Sequence, residues 1–157
     1  MVKIATTSDI EKALMQRCKT ELRMNPIAPS LVLPHGWEAD VAAATKTGLI
    51  HEFEIKVSRA DFLADAGKPH RKEPATGMGA YRYFMAPSGL ISVEELPPKW
   101  GLVEVNPRGH LKVRAGHLLA GTRFGQPVGE DVWRHEHNQY AEVCTLAMCL
   151  NRVGEPQ

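Results

Sequence analysis

The sequence has no cysteine pairing motif, no long apolar run and no dominant charge sign. Its three cysteines, Cys18, Cys144 and Cys149, show no Cys-x-x-Cys spacing, which argues against a disulfide framework or a zinc ribbon and for buried thiols in a reducing compartment. No stretch approaches the roughly 20 apolar residues of a membrane span, and Met-Val-Lys-Ile-Ala-Thr-Thr-Ser-Asp at the start lacks an apolar signal core. A cytoplasmic protein without a membrane partner is expected. The net charge of +1 gives no global field to attract nucleic acid, so any such contact must rest on a local basic patch. What the chain does have is ordinary globular composition, 43% hydrophobic and 24% charged, enough for a real core over 157 residues. One domain covering 1–157 is the expectation.

The most informative stretch runs from Trp37 to Lys56 and reads as a β-hairpin. With Lys46-Thr47-Gly48 as the loop and Gly48 supplying its left-handed residue, Thr45 faces Leu49, Asp40 lies opposite Glu54 and Glu38 opposite Lys56. Alternation then puts Ala39, Val41, Ala43, Phe53, Ile55 and Val57 on an apolar core face, and Glu38, Asp40, Glu52, Glu54 and Lys56 on the other. Two carboxylates about 5 Å apart at Cβ repel each other unless a cation lies between them or a proton is shared. Mg²⁺ suits such a pair, because it takes one or two carboxylates and completes its shell with water and phosphate oxygens. Lys56, on the same face, points an ammonium at whatever the ion holds and can orient water or stabilise a phosphorane. The plain alternative is a hairpin whose polar face is simply solvated.

Asp40 followed by a hairpin into Glu54-Ile55-Lys56 resembles the active-site pattern of the PD-(D/E)XK nuclease superfamily. The run from Glu52 to Phe62 is similar to MmcB-like and phage-encoded members, and the resemblance extends over about residues 8–105. It implies an α/β (α+β) fold with a restriction-endonuclease-like core: a helix, a three-stranded antiparallel meander, a helix and a strand. It also implies Mg²⁺ or Mn²⁺ held by Asp40, Glu54 and the Ile55 carbonyl, and Lys56 assisting the attacking water. A glutamate of the first helix often adds a ligand in that family, and Glu11 is the candidate. Ala39 stands where the motif name has proline, a departure that the degenerate motif tolerates.

The remaining chain supplies the frame. Ser8 and Glu11 form a capping-box signature ahead of a helical stripe of Ile10, Leu14, Cys18 and Leu22, so Glu11 is also explained as a cap. Asn25 to Pro29 reads as a turn, Ser30–Leu33 as a short edge strand, and His35 as a loop residue. Ser58 and Asp61 start a short helix with Phe62 and Leu63 inward and Gly67 as its stop. The cluster that follows, Lys68, Arg71 and Lys72, together with Arg82 on the next strand, is expected to contact DNA phosphates. Asp61 and Asp65 are expected to pair with Arg59 or Lys68 across the helix.

Residues 73–80 read as a loop mobile enough to close over a substrate. Tyr81–Ala86 reads as a strand beside the hairpin, and Trp100–Val105 with Leu111–Arg114 as a second hairpin. The region 106–157 is an extension of the core. It ends in a helix over 129–153, with Arg134-His135-Glu136-His137 on its early turns and an apolar face suited to packing on the sheet or to a homodimer contact.

The functional expectation is a Mg²⁺- or Mn²⁺-dependent deoxyribonuclease of DNA repair, recombination or phage DNA processing. The alternative is a catalytically inactive, nuclease-like protein that binds DNA or a repair partner.

Overall fold

The computed structural model describes residues 6–32, 38–120 and 132–154. Leu33, Pro34, His35, Gly36 and Trp37, and the side chains of Glu38 and Ala39, lie outside the described set. The order of elements is α1 (Thr7–Arg17), β1 (Asn25–Val32), β2 (Glu38–Ala44), β3 (Ile50–Ile55), α2 (Arg59–Ala64), α3 (Pro69–Lys72), β4 (Tyr81–Pro87), β5 (Trp100–Val105), β6 (Leu111–Ala115) and α4 (Gln139–Gly154). The strands form one mixed sheet in sequence order, antiparallel from β1 to β3, parallel from β3 through β5, and antiparallel again at β6. The domain is therefore α+β, as its sequence suggests.

α1 begins two residues earlier than the Ser8–Glu11 pattern indicates. Thr6 and Asp9 make the reciprocal capping box instead, with both hydrogen bonds at 3.1 Å. The expected stripe holds: Ile10, Leu14, Cys18 and Leu22 are all buried, the last two in a π-helical turn over Cys18–Leu22 that Arg23 ends in a left-handed conformation. This stripe packs on Val41, Ala43, Phe53, Ile55, Tyr81, Tyr83 and Met85, the odd-numbered face of the sheet. α1 thus seals one face and leaves the other to different elements.

The central hairpin has the predicted register. Ala44 pairs with Ile50, Ala43 with His51, Ala42 with Glu52 and Val41 with Phe53, while the Thr45 amide donates to the Leu49 carbonyl at 3.1 Å. Gly48 closes the loop at φ +82°, where a side chain would be strained. β1 differs from expectation, since it starts at Asn25 and carries Pro26 and Pro29 within it. An edge strand has one side of its backbone unpaired, and a bulge between Pro26 and Ala28 absorbs the irregularity.

The even-numbered face of β3 and β4 is as buried as the odd one. Glu52, Glu54 and Arg82 are each at most 1% exposed, so this polar face is covered and not solvated. α2, capped by Ser58 (Asp61 N–H to Ser58 Oγ, 3.2 Å), lays Phe62 edge-on against Phe84. Leu63, expected inward, is 62% exposed because one short helical turn has only one buried side.

The C-terminal helix starts at Gln139, ten residues later than the sequence suggests. Asn138 caps it through Oδ1 to the Ala141 amide at 3.0 Å. His135 lies in the irregular lead-in, donating its amide to the Ala80 carbonyl at 2.8 Å with its Nε2 2.9 Å from the Lys99 carbonyl oxygen. α4 turns Ala141, Glu142 and Thr145 inward and leaves Tyr140, Val143, Leu146 and Leu150 exposed. The apolar side chains that suggested a core face therefore look outward, and small or polar ones make the contact.

The tightest approach in the sheet is at Gly101 of β5, where an added Cβ would lie 2.7 Å from the Ala115 carbonyl oxygen and against the Tyr83 ring. Gly101→Ala is expected to lose about 2–3 kcal/mol of stability, because both obstacles belong to packed strands. Urea unfolding of the variant beside wild type measures it.

Candidate functional site

The hairpin places the sequence-predicted acids at the end of β3 on the even-numbered face. Asp40 of β2 accepts the Ile55 amide through Oδ2 at 2.8 Å. Its carboxyl is half-buried and its pKa is pushed up to about 6, by burial first and then by the Glu54 charge, against the Ile55 amide, Lys68 and Lys56. The like-charge conflict inferred from strand register is thus present in space. Ile55 supplies its amide to this arrangement.

Glu52 and Glu54 stand on one strand with their carboxyls toward each other. No nitrogen or hydroxyl of the described residues hydrogen-bonds either oxygen of Glu52 or Oε1 of Glu54. Burial, reinforced by the Glu54 charge, raises Glu52 well above the carboxylate range, so it keeps its proton and shares it with Glu54. Burial also works to raise Glu54, but the Glu52 hydrogen bond, Lys68 and Arg71 outweigh it and hold Glu54 ionised. One carboxyl is therefore neutral and its neighbour charged.

The roof over these acids is built from the turn after α2. Asp65, 2% exposed, gathers three cations: Lys56 Nζ at 2.9 Å, Lys68 Nζ at 3.1 Å and the Arg71 guanidinium through two contacts. Its pKa falls to about 2, because the Arg71 and Lys56 interactions overcome its burial. Lys68 also reaches Glu54 Oε2 at 2.9 Å, and Arg71 NH2 lies 3.6 Å from Glu54 Oε1. Arg71 is stacked with its guanidinium carbon 4.0 Å from the Trp100 ring centroid. The arrangement fixes Lys56 beside the acids, presents a charged carboxylate at Glu54, and excludes water from both.

Several predicted site residues lie elsewhere. Arg82, expected at a DNA-contacting surface, is 1% exposed and donates to the carbonyls of Gly79, Pro74, Gly77 and Glu136 at 2.7–3.1 Å, with Glu52 Oε2 at 3.8 Å. It is an internal strut. Those bonds, with Asn138 N–H to the Gly77 carbonyl and Gly79 N–H to Glu142 at 3.0 Å, also fasten residues 74–80, which were expected to be a mobile loop. Arg71 is likewise turned inward, its side chain 6% exposed, whereas Lys72 is exposed and Lys68 partly so. Glu11 belongs to the helix that covers the opposite face of the sheet, and no described contact brings it to Asp40 or Glu54.

Asp65 pairs with Lys68 as expected, yet its grip on Lys56 and Arg71 was not foreseen, because only the turn at Gly67 folds Arg71 back over it. Glu52 was placed on the polar face without a role. Its signal was present, since a third acid between Phe53 and His51 on the face of Glu54 cannot be solvated if that face is covered.

The residues fit a hard divalent ion in their chemistry. Asp40 and Glu54 are oxygen donors that repel one another, and Glu54 Oε1 lacks a hydrogen-bond donor. Among the described residues no group of three or more His, Cys, Asp or Glu side chains is arranged to hold a metal. Two carboxylates are what these residues could contribute to a Mg²⁺ shell, which in general needs no more than one or two from the protein.

Comparison with known proteins adds the fold alone. No family model and no curated protein matches the chain. A solved structure, the SPO1766 protein of unknown function from Silicibacter pomeroyi, is similar at a TM-score of 0.57 and 17% identity, covering 92% of this chain and 84% of that one. No helix among the described residues is long and apolar enough to cross a membrane.

The raised Asp40 pKa has a consequence for stability. The folded chain holds the proton more tightly than the unfolded one, so charging Asp40 imposes a destabilising penalty that is absent below about pH 4 and complete above about pH 6. Asp40→Asn keeps an oxygen for the Ile55 amide and removes the charge. Urea unfolding without divalent ions is expected to find the variant equal to wild type at pH 4 and more stable by about 1–2 kcal/mol at pH 8, after discounting for partial exposure.

Proposed function

We propose that the protein is a Mg²⁺- or Mn²⁺-dependent nuclease acting on DNA, with Asp40 and Glu54 as metal ligands and Lys56 as the charge-stabilising residue. The observation that carries this reading is the convergence of Asp40 with Glu54 at the end of the hairpin, their charges opposed and Asp40 lacking a cation in hydrogen-bond contact among the described residues. The run of α1, the β1–β3 meander, α2 and a parallel β4 agrees with the order expected of a restriction-endonuclease-like core. A bound divalent ion would supply Lewis-acid activation of the scissile phosphate and of water.

The chain's own residues define the rest. Lys56, buried and with its Nζ 2.9 Å from Asp65, is fixed in place beside the acids and serves as the charge-stabilising residue. Glu52 keeps its proton and aims Glu54. Asp40 is held by the Ile55 amide and offers its second oxygen. Lys68 and Lys72 stand at the open side as phosphate contacts, and the assignment of Arg82 and Arg71 to that surface is withdrawn.

A second reading is favoured by one observation: Lys68 and Arg71 already neutralise Glu54, as they would in a nuclease-like protein that binds DNA without cutting it. Incubation with linear, branched and single-stranded DNA in Mn²⁺ separates the two. The nuclease reading expects metal-dependent cleavage that falls at least about 100-fold in Asp40→Asn and in Lys56→Met. Absence of cleavage, or cleavage that both variants retain, overturns it, and metal-independent binding that weakens steeply with salt establishes the second.

A further inference from the structure

Two cations touch Glu54, and they differ in freedom. Arg71 is 6% exposed, held to Asp65 by two contacts and stacked on Trp100. Lys68 is 36% exposed, follows Gly67, and sits in extended backbone (φ −67°, ψ 139°) between a 3-10 turn over Asp65–Gly67 and α3. Its four-carbon stem can swing the ammonium into solvent without unpacking anything.

The two acids that Lys68 bridges would respond differently to its departure. Asp65 would keep Lys56 at 2.9 Å and both Arg71 contacts, so its charge stays compensated. Glu54 would keep the proton shared by Glu52 but only one cation, Arg71 at 3.6 Å, with Asp40 close enough to repel it. Removing Lys68 therefore exposes one unbalanced pair of carboxylates and leaves the roof intact.

We propose that Lys68 is an internal stand-in for the divalent ion: its ammonium occupies the cation position at Glu54 in the metal-free protein, is displaced when the ion binds, and becomes available to a phosphate of the substrate. This rests on the metal-dependent reading above. The exchange raises the local charge by one, a monovalent ammonium leaving and a divalent ion arriving, and the added charge answers the second carboxylate, Asp40, which Lys68 does not pair with. It links the two events that the chemistry needs, because the cation that vacates the acids is the one nearest the incoming backbone. An ion pair present before metal loading also explains how buried Glu54 stays charged without a metal.

The test uses the full chain and Mn²⁺ alone, without DNA. Free Mn²⁺ is followed by electron paramagnetic resonance for wild type, Lys68→Met, Lys68→Gln and the ligand variant Asp40→Asn, each checked for folding by circular dichroism. The two Lys68 variants are expected to bind Mn²⁺ about tenfold more tightly than wild type, since the ion no longer competes with a tethered cation, and Asp40→Asn to lose binding. In wild type, acylation of Lys68 by an amine-reactive ester, read by peptide mass spectrometry against exposed Lys46, is expected to rise several-fold on adding Mn²⁺. Equal or weaker Mn²⁺ binding by both Lys68 variants, or unchanged Lys68 acylation while Mn²⁺ binds, overturns the stand-in and leaves the metal site standing. No Mn²⁺ binding by wild type or either Lys68 variant overturns the stand-in and the metal-dependent reading together.

Discussion

The structure depends on how one buried face of the sheet accommodates charge. Strand alternation sends Glu52 and Glu54 to the same side of β3, and Arg82 and Phe84 of the parallel neighbour β4 alternate with it, Arg82 beside Glu52 and Phe84 beside Glu54. None of these residues reaches water, so each charge must be neutralised locally or lost as a proton. The chain uses both solutions. Glu52 keeps its proton, whereas Glu54 and Asp65 keep their charge and share Lys56, Lys68 and Arg71. Such networks are rarely the source of net stability, since desolvation offsets most of the Coulomb energy, and an apolar face would pack as well.

The same face divides along β3. At the Ile50 end it is apolar, with Ala42, Ile50, Met78 and Ala141 in contact and α4 lying over them. At the Glu54 end it is ionic and roofed by Phe62, Asp65 and Arg71. Arg82 stands between the two halves and ties residues 74–80 and the α4 lead-in to the sheet through four carbonyls. Its guanidinium performs the task that a surface arginine would give to phosphate, on backbone oxygens. That is why an arginine in a strand next to two acids was easily mistaken for a ligand-binding residue.

What the sequence disclosed follows from which interactions are local. The hairpin register was legible because Gly48 fixes the loop and the Phe53–Ile55 alternation fixes the face, both within a few residues of each other. The stripe on α1 was legible for the same reason, even though the cap shifted to Thr6. β1 was not, because Pro26 and Pro29 signal a break everywhere except on a sheet edge, and edge position is a property of the whole fold. The direction of α4 was hidden because Tyr140, Val143 and Leu150 have the periodicity of a core face, while the contact is made through Ala141 and Thr145. The cover over Glu52 and Glu54, which governs their ionisation, comes from residues further along the chain: Phe62, Asp65, Lys68, Arg71 and Arg82.

Asp65 shows why the candidate site is more than the hairpin that announced it. A lone lysine next to two acids would form an ion pair with one of them and quench it. Here Lys56 is given to Asp65, an acid from a different element, whose pKa of about 2 keeps it charged under any physiological condition. Lys56 is thereby anchored by Asp65 and not by either acid of the hairpin. Arg71, pinned between Asp65 and Trp100, reaches Glu54 at the longer distance of 3.6 Å. Among the described cations Lys68 makes the shortest contact to Glu54, 2.9 Å, and it is also the most exposed of the three, so the acids of the hairpin owe their compensation to a residue at the rim and not to the buried roof.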